Sequence, residues 1–356
     1  MQRNLDLPYP ITIADDARSS LRSMLSDGAI ERFVVLSDAG TARYAEALTG
    51  GMRGRLGLCV VALGERKKRL ATLERVCRML LQCNADRGTV VVGVGGGVAA
   101  DLFGLAAALF MRGIRYVHVA TTLVAMVDAA IGGKTSANLP KSKNTIGAYA
   151  DPIAVFAHLK SLRTLPYRHL REGLAEVVKH AVIADGRLLD LIEALAPHPF
   201  AVWPWETVVA DAVKVKTAIV AEDPAEQHVR ERLNLGHTFA HGIEAASAYR
   251  VTHGAAVAIG LRAAGLLALR AGYFSRNEHL RVLSLLALLR LPWSTAESPS
   301  AILTAMKADK KRRRGRLRFV LPRSFGDIAC GVEVAEEDVR AVLRRIRQRP
   351  GAGEFR

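Results

Sequence analysis

Thr89-Val90-Val91-Val92-Gly93-Val94 runs straight into Gly95-Gly96-Gly97, and the helix-like stretch Ala99 to Phe110 follows at once. A β-type run, a glycine turn and an apolar helical stretch make one strand–turn–helix unit. Glycines at such a turn let a backbone approach a pyrophosphate, and the helix N-terminus supplies free N–H groups and a positive dipole end. The stretch is not a complete GxGxxG, and tight packing explains a glycine-rich turn equally well.

Similar pieces lie on both sides of it. Phe33-Val34-Val35-Leu36 ends in Ser37-Asp38-Ala39-Gly40, and Leu58-Cys59-Val60-Val61-Ala62-Leu63 ends in Gly64-Glu65. Leu70 to Leu81 has helical periodicity, and Tyr116-Val117-His118-Val119-Ala120 is another β-type run. Short β runs separated by helices predict an α/β domain with a doubly wound, Rossmann-like parallel sheet, which binds ligands at the carboxyl ends of its strands. From about Leu162 amphipathic helical patterns take over: Leu170 to Ile183, Val208 to Val220, Leu233 to Ala246, Ala255 to Ala271 and Asn277 to Leu289. Pro292, Pro299 and Pro322 punctuate the connections. The expected division is therefore 1–155, an α/β domain, and 156–356, an all-α domain.

With 356 residues, two domains are the default. The longest apolar runs are broken by Asp101, Arg262 and Arg270, so a membrane span is not expected. The first residues lack the apolar core of a signal peptide. Cys59, Cys77, Cys83 and Cys330 form no CxxC pair and read as reduced, mostly buried thiols in a cytoplasmic protein. The net charge of +16 suits a nucleic acid or an anionic small molecule. Much of the excess lies in Lys310-Lys311-Arg312-Arg313-Arg314-Gly315-Arg316 and in a tail with Arg340, Arg344, Arg345, Arg347 and Arg349. Few aromatics are interleaved, so no stacking platform for single strands is indicated, and a solvated basic surface is the simplest reading.

Three further groups carry chemistry. Glu65 could accept hydrogen bonds from a ribose and Lys68 could meet a phosphate, although an exposed i,i+3 pair looks the same in sequence. Asp128 to Thr135 ends in Gly132-Gly133-Lys134-Thr135, and Asn138, Lys141, Lys143, Asn144 and Gly147 follow. This lacks the Walker spacing, yet amide and ammonium donors crowded on one loop suit an anion. Asn234-Leu235-Gly236-His237-Thr238-Phe239-Ala240-His241, followed by His253, reads as part of a metal site. His237 and His241 are four apart and share a helix face. A catalytic zinc takes three protein ligands, and spacing alone leaves open which groups they are.

Taken in order, the motifs closely resemble the 3-dehydroquinate synthases and the wider sugar-phosphate cyclase family. They are Gly95-Gly96-Gly97-Val98-x-x-Asp101, Thr121-Thr122-Leu123, Val127-Asp128 to Lys134-Thr135, Lys143-Asn144-x-Ile146-Gly147, Gly173 to Lys179, Leu233 to His241, and Asp309-Lys310-Lys311 with Gly315 and Phe319 to Pro322. The resemblance spans roughly residues 30 to 330. It implies an NAD-binding α/β domain, a helical metal-binding domain and an active site between them.

By the same resemblance the zinc ligands are Glu176, His237 and His253, with cobalt as an alternative ion, and His241 contacts the substrate phosphate. The NAD contacts implied are Asp38, Glu65, Lys68, Gly96, Gly97, Asp101, Thr121, Thr122, Lys143 and Thr164. Asp128, Lys134, Asn144, Lys179, Lys216, Glu226, Arg230, Asn234 and Lys310 or Lys311 line the substrate pocket. Arg112 reaches the phosphate from the neighbouring subunit of a homodimer. The activity implied is that of a carbon–oxygen lyase acting on phosphates. 3-Deoxy-D-arabino-heptulosonate 7-phosphate is cyclised to 3-dehydroquinate with release of phosphate, in the shikimate pathway of aromatic amino acid biosynthesis. NAD is used catalytically, and zinc polarises the substrate hydroxyls. Lys134, Asn144 and Asn234 are phosphate donors in this reading, and Arg230 suits the substrate carboxylate by its fork.

The chain departs from the family pattern at Gly40, Ala100, Ala120, His169, Ala240 and Ala255. Most lie near NAD or behind the direct contacts, which bears on cofactor affinity and exact substrate. The rival reading is a cyclase of secondary metabolism, an aminodehydroquinate synthase or a sedoheptulose 7-phosphate cyclase. Arg230, Asn234 and the Lys310/Lys311 pair favour the carboxylated substrate. A regulatory paralogue would have lost a zinc ligand or Lys134, and neither is lost. Neither nucleic acid nor membrane is an expected partner.

Overall fold

The computed structural model describes residues 2–3, 7–140, 142–308 and 317–349. The whole first basic cluster, residues 310–316 with Lys310 and Lys311, lies outside them, as does Lys141. The chain divides into two compact units, Met1–Pro166 with Trp205–Ala221, and Tyr167–Pro204 with Glu222–Arg356. This differs from a division at 155/156 in two respects: the first boundary falls at Pro166, and a later segment returns to the first unit.

The first unit runs β1 (Gln2–Arg3), β2 (Ile11–Ala14), α1 (Arg18–Ser26), β3 (Phe33–Asp38), α2 (Ala42–Thr49), β4 (Arg55–Val61), α3 (Leu70–Gln82), β5 (Val90–Gly95), α4 (Gly97–Leu109), β6 (Tyr116–Ala120), β7 (Lys134–Leu139), β8 (Ser142–Tyr149) and β9 (Ala154–His158). Seven strands form one sheet in the order β1-β2-β9-β6-β5-β3-β4. All are parallel except β1. β5 and β6 are buried along their whole lengths, as apolar strands covered on both faces should be. β5 lies between β3 and β6. The chain leaves β3 toward β4 and leaves β5 toward β6, so the gap between β3 and β5 is where the winding reverses, the usual ligand crevice of such sheets. Asp38 ends β3 and Gly95 ends β5 at that crevice.

Gly95 is required there by packing: a Cβ would stand 2.5 Å from the Ala99 Cβ, so only glycine lets α4 start this close to the strand. α4 is apolar nearly all round because the core surrounds it, with Leu102, Phe103, Leu105, Ala106 and Ala107 at most 1% exposed. The lysine- and asparagine-rich stretch expected as a loop is a hairpin. After a π-helical turn at Ala125–Ala129, β7 and β8 pair antiparallel, with Thr135 opposite Ala148 and Ser136 opposite Gly147.

The second unit contains α5 (Tyr167–Ile183) and α6 (Arg187–Leu195). α7 (Trp205–Glu222) follows, almost wholly within the first unit, before α8 (His237–Ala246), α9 (His253–Arg270), α10 (Arg276–Leu288), α11 (Pro299–Ala308), β10 (Arg318–Ser324), β11 (Asp327–Glu333) and α12 (Glu336–Arg345). Among the described residues the second unit is helical with one hairpin, β10–β11, which lies at the Phe319 to Pro322 signature. α12 carries part of the basic tail. Its first turn holds Glu336, Glu337 and Asp338 and its last Arg344 and Arg345, the order the helix dipole favours. Of the cysteines only Cys59 is buried, Cys330 is exposed, and all four are free thiols. No described helix is long and apolar enough to cross a membrane.

Candidate active site

Three helices of the second unit bring Glu176, His237 and His253 together. Their ligand atoms all lie within 4.8 Å of one another. Glu176 sits in the middle of α5 and is fully buried. His237 opens α8 and His253 opens α9. Two glycines make this convergence possible. Gly236, with φ +77°, turns the chain into α8 in a left-handed conformation that only glycine adopts without strain. Gly254 lies against α5, where a Cβ would meet the Glu172 backbone at 2.3 Å.

Glu176 divides its two oxygens. Oε1 faces His253 Nε2 at 3.2 Å and His237 Nε2 at 3.8 Å, while Oε2 takes the Lys179 ammonium at 2.6 Å. Burial first, and then the Lys179 charge, holds the His237 imidazolium well below its usual range. His237 is thus neutral, the form that binds a metal. Its Nδ1 lies 3.2 Å from the Leu235 carbonyl, which leaves Nε2 to face the cluster. A buried carboxylate and two imidazole nitrogens aimed at one point fit the donor set of a catalytic zinc. His241 stands beside this set. Its ring centroid is 5.5 Å from that of His237 and 6.4 Å from that of His253, and it is not among the three converging ligands.

In the same unit Asn234 Nδ2 donates to Glu226 Oε1 at 2.7 Å. One amide hydrogen expected for phosphate therefore orders a carboxylate instead. Glu226 is held at φ +56°. The Asp223 carboxylate accepts from the backbone amides of Gln227, His228 and Arg230, which pins this turn. Arg230 is 1% exposed and donates to the Pro224 carbonyl at 2.5 Å.

The first unit holds the groups expected at NAD and several expected at substrate. Asp38 Oδ1 accepts from the amides of Ala39 and Leu63, both at 2.9 Å, which ties the end of β3 to the loop after β4. Gly96 caps α4, where a Cβ would come within 2.9 Å of Thr122 Cγ2. Gly97 begins the helix, and Thr121 and Thr122 follow β6. This glycine cradle at the crevice between β3 and β5 fits a dinucleotide pyrophosphate. Glu65 accepts from Asn138 Nδ2 at 2.8 Å and has the Lys143 ammonium 3.9 Å away. Thr164 is bonded to Tyr44 at 2.7 Å.

Lys68 is not an exposed pair partner of Glu65. It is 1% exposed, and its ammonium joins the Asp101 carboxylate and Asn144 Oδ1, the latter at 2.5 Å. Burial pushes the Asp101 carboxyl above its ordinary range, and the Lys68 charge opposes that. Asn144, at φ +50° on β8, also accepts from Ser136 Oγ at 3.0 Å. Its oxygen is thereby committed, and its NH₂ group is the end left to donate to an anion. A residue expected at NAD and one expected at substrate thus share one network. Lys216 of α7 pairs with the Asp128 carboxylate and donates to the Asp128 carbonyl at 2.5 Å. Lys134 starts β7 with its side chain exposed. Arg112 is exposed at φ +68°, next to Met111 at φ +51°.

Sequence reasoning missed Glu244. It is 2% exposed, with Oε1 3.4 Å from His253 Nδ1. Its spacing was the available signal: seven residues after His237 on one helix puts it on the same face two turns later.

The family profile described as "3-dehydroquinate synthase N-terminal" matches residues 58–172, and that described as "3-dehydroquinate synthase C-terminal" matches residues 173–312. A 3-dehydroquinate synthase of Gloeobacter violaceus is 38% identical over 349 residues, covering 95% of this chain and 96% of that one. One from Synechococcus sp. is 35% identical, covering 98% and 96%. Among solved structures, a 2-epi-5-epi-valiolone synthase from Streptomyces hygroscopicus, with NAD+ and Zn2+ bound, superposes with a TM-score of 0.86 at 30% identity, covering 96% and 97%. A 2-deoxy-scyllo-inosose synthase complexed with carbaglucose-6-phosphate, NAD+ and Co2+ gives 0.85 at 25% identity, covering 95% and 96%. Matched along nearly its whole length, the chain belongs to the 3-dehydroquinate synthase family.

Proposed function

We propose that the chain catalyses the NAD- and zinc-dependent cyclisation of 3-deoxy-D-arabino-heptulosonate 7-phosphate to 3-dehydroquinate with release of phosphate. The observation that carries this reading is the buried Glu176, His237 and His253 cluster in a chain over a third identical to 3-dehydroquinate synthases. Bound zinc would polarise the substrate hydroxyls, and NAD+ would take up and return a hydride. Glu176, His237 and His253 hold the ion. Gly96 and Gly97 admit the pyrophosphate, with Asp38, Glu65, Lys68, Asp101, Thr121, Thr122, Lys143 and Thr164 around the nucleotide.

Lys134, the Asn144 amide and His241 bind the phosphate, and Arg230 takes the carboxylate. Lys179, Lys216 and Glu226 position hydroxyls and move protons, each already ordered by a buried or bonded partner: Glu176, Asp128 and Asn234. Lys310 or Lys311 completes the anion-binding set. Arg112 serves the neighbouring subunit of a homodimer. Exposed Leu109 and Met111 beside it support an interface at that turn. The enzyme acts in the cytoplasm, in the shikimate pathway.

A second reading, a cyclase of secondary metabolism, is favoured by the structural likeness to the 2-epi-5-epi-valiolone synthase. Assay of the purified protein with zinc and NAD+ separates the two. Phosphate release from the heptulosonate 7-phosphate is the expected result. No release from it, alongside turnover of sedoheptulose 7-phosphate, overturns the first reading and establishes the second.

A further inference from the structure

We propose that Glu244 is a positioning residue that fixes His253 as a metal ligand. The inference rests on the metal reading of Glu176, His237 and His253 and extends it outward by one residue. His253 presents its two ring nitrogens to two different carboxylates. Nε2 lies 3.2 Å from Glu176 Oε1, and Nδ1 lies 3.4 Å from Glu244 Oε1. A neutral imidazole carries one proton. A carboxylate at Nδ1 draws the proton to that side, so the lone pair is on Nε2, facing Glu176 and the ion.

His237 has a similar arrangement with a weaker partner. Its Nδ1 faces a neutral backbone carbonyl, that of Leu235.

The fold holds Glu244 in place. It shares α8 with His237, two turns further on. The backbone past it is pinned: Ser247 Oγ and the Tyr249 amide both donate to the Glu244 carbonyl, at 2.9 and 2.8 Å. The Val251 amide donates to Ser247 Oγ at 3.1 Å, which carries that order toward His253 at the start of α9.

The test uses the full chain, stripped of metal and titrated with zinc against a chromophoric chelator, and the visible spectrum of the cobalt form. Wild type binds one zinc. Glu244→Ala raises the zinc Kd about 10- to 100-fold and shifts the cobalt bands. Glu244→Gln, whose amide oxygen can accept from Nδ1, recovers most of the affinity, with a Kd roughly 3- to 10-fold above wild type. A folded Glu244→Ala variant with wild-type Kd and cobalt spectrum overturns the proposal. Should that variant fail to fold, Glu244→Gln decides: the stated rise supports the role, and an unchanged Kd and spectrum overturns it. A wild-type chain that binds no zinc fails the metal reading itself, a result distinct from either variant's.

Discussion

The two units handle buried charge in different ways. In the first, ammonium and carboxylate groups answer one another within the protein: Lys68 meets Asp101, and Lys216 meets Asp128. In the second, Glu176 takes the Lys179 ammonium on one oxygen and faces His253 and His237 with the other, and Glu176, His237 and His253 converge so that they could hold a metal ion. The first arrangement is built for stability and order before any ligand arrives. The second is built to be completed by a guest. A substitution in the first should therefore cost stability as well as ligand binding, and one in the second chiefly metal binding.

The largest effect tests the second half of that contrast. Glu176→Ala removes the central ligand. Zinc stoichiometry should fall to background and turnover by roughly a thousandfold, equivalent to about 4 kcal/mol of transition-state stabilisation. Added zinc should raise the melting temperature of wild type and leave that of the variant unmoved. A variant that keeps stoichiometric zinc would erase the distinction between the units.

Next comes the first unit. Lys68→Met leaves Asp101 enclosed without its ammonium and should cost about 3 kcal/mol in urea unfolding, with zinc affinity unchanged. Pairing it with Asp101→Leu should restore most of the loss. A single variant as stable as wild type would show that the pair is not a source of order.

The smallest effect concerns pH. His118 lies within β6, and burial lowers its imidazole from 6.5 to about 4. The unfolded chain then binds a proton that the native chain refuses, so stability is full above 6.5 and is lost as pH falls from 6.5 toward 4. At pH 5.5 the loss is about 1 kcal/mol. His118→Gln should flatten this part of the stability profile, and an unchanged slope would remove His118 from the account.

The contrast also explains what the sequence could reveal. At the metal end the histidine spacing signals a site without naming its ligands, since His237 and His241 share a helix face; Glu176, sixty-one residues before His237, follows only from the family resemblance. Glu244 obeys the same rule and was overlooked only because it binds a ligand rather than the ion. In the first unit, β5 and β6 were legible as apolar runs. β9 was not, since Ala154-Val155-Phe156-Ala157-His158 is short and alanine-rich, and neither was β2. The hairpin β7–β8 read as a loop because its residues are mostly polar, although Thr135 and Ser136 are buried in β7; β8 has no buried residue. The β10–β11 hairpin turns at Gly326, φ +86°, and β10 showed in sequence only as a motif. The network of Lys68 with Asn144 joins residues 76 apart, a pairing no local pattern encodes.

The return of α7 to the first unit has a consequence for how the chain is made. Asp128 and Lys216 are separated by 88 residues. At 5–20 residues per second, Lys216 is added to a growing chain roughly 4 to 18 s after Asp128. Until then the Lys216 contact cannot form, whatever the sheet has already done. The Lys216 contact of the first unit is thus timed by the ribosome, after all of α5 and α6 has already been synthesised.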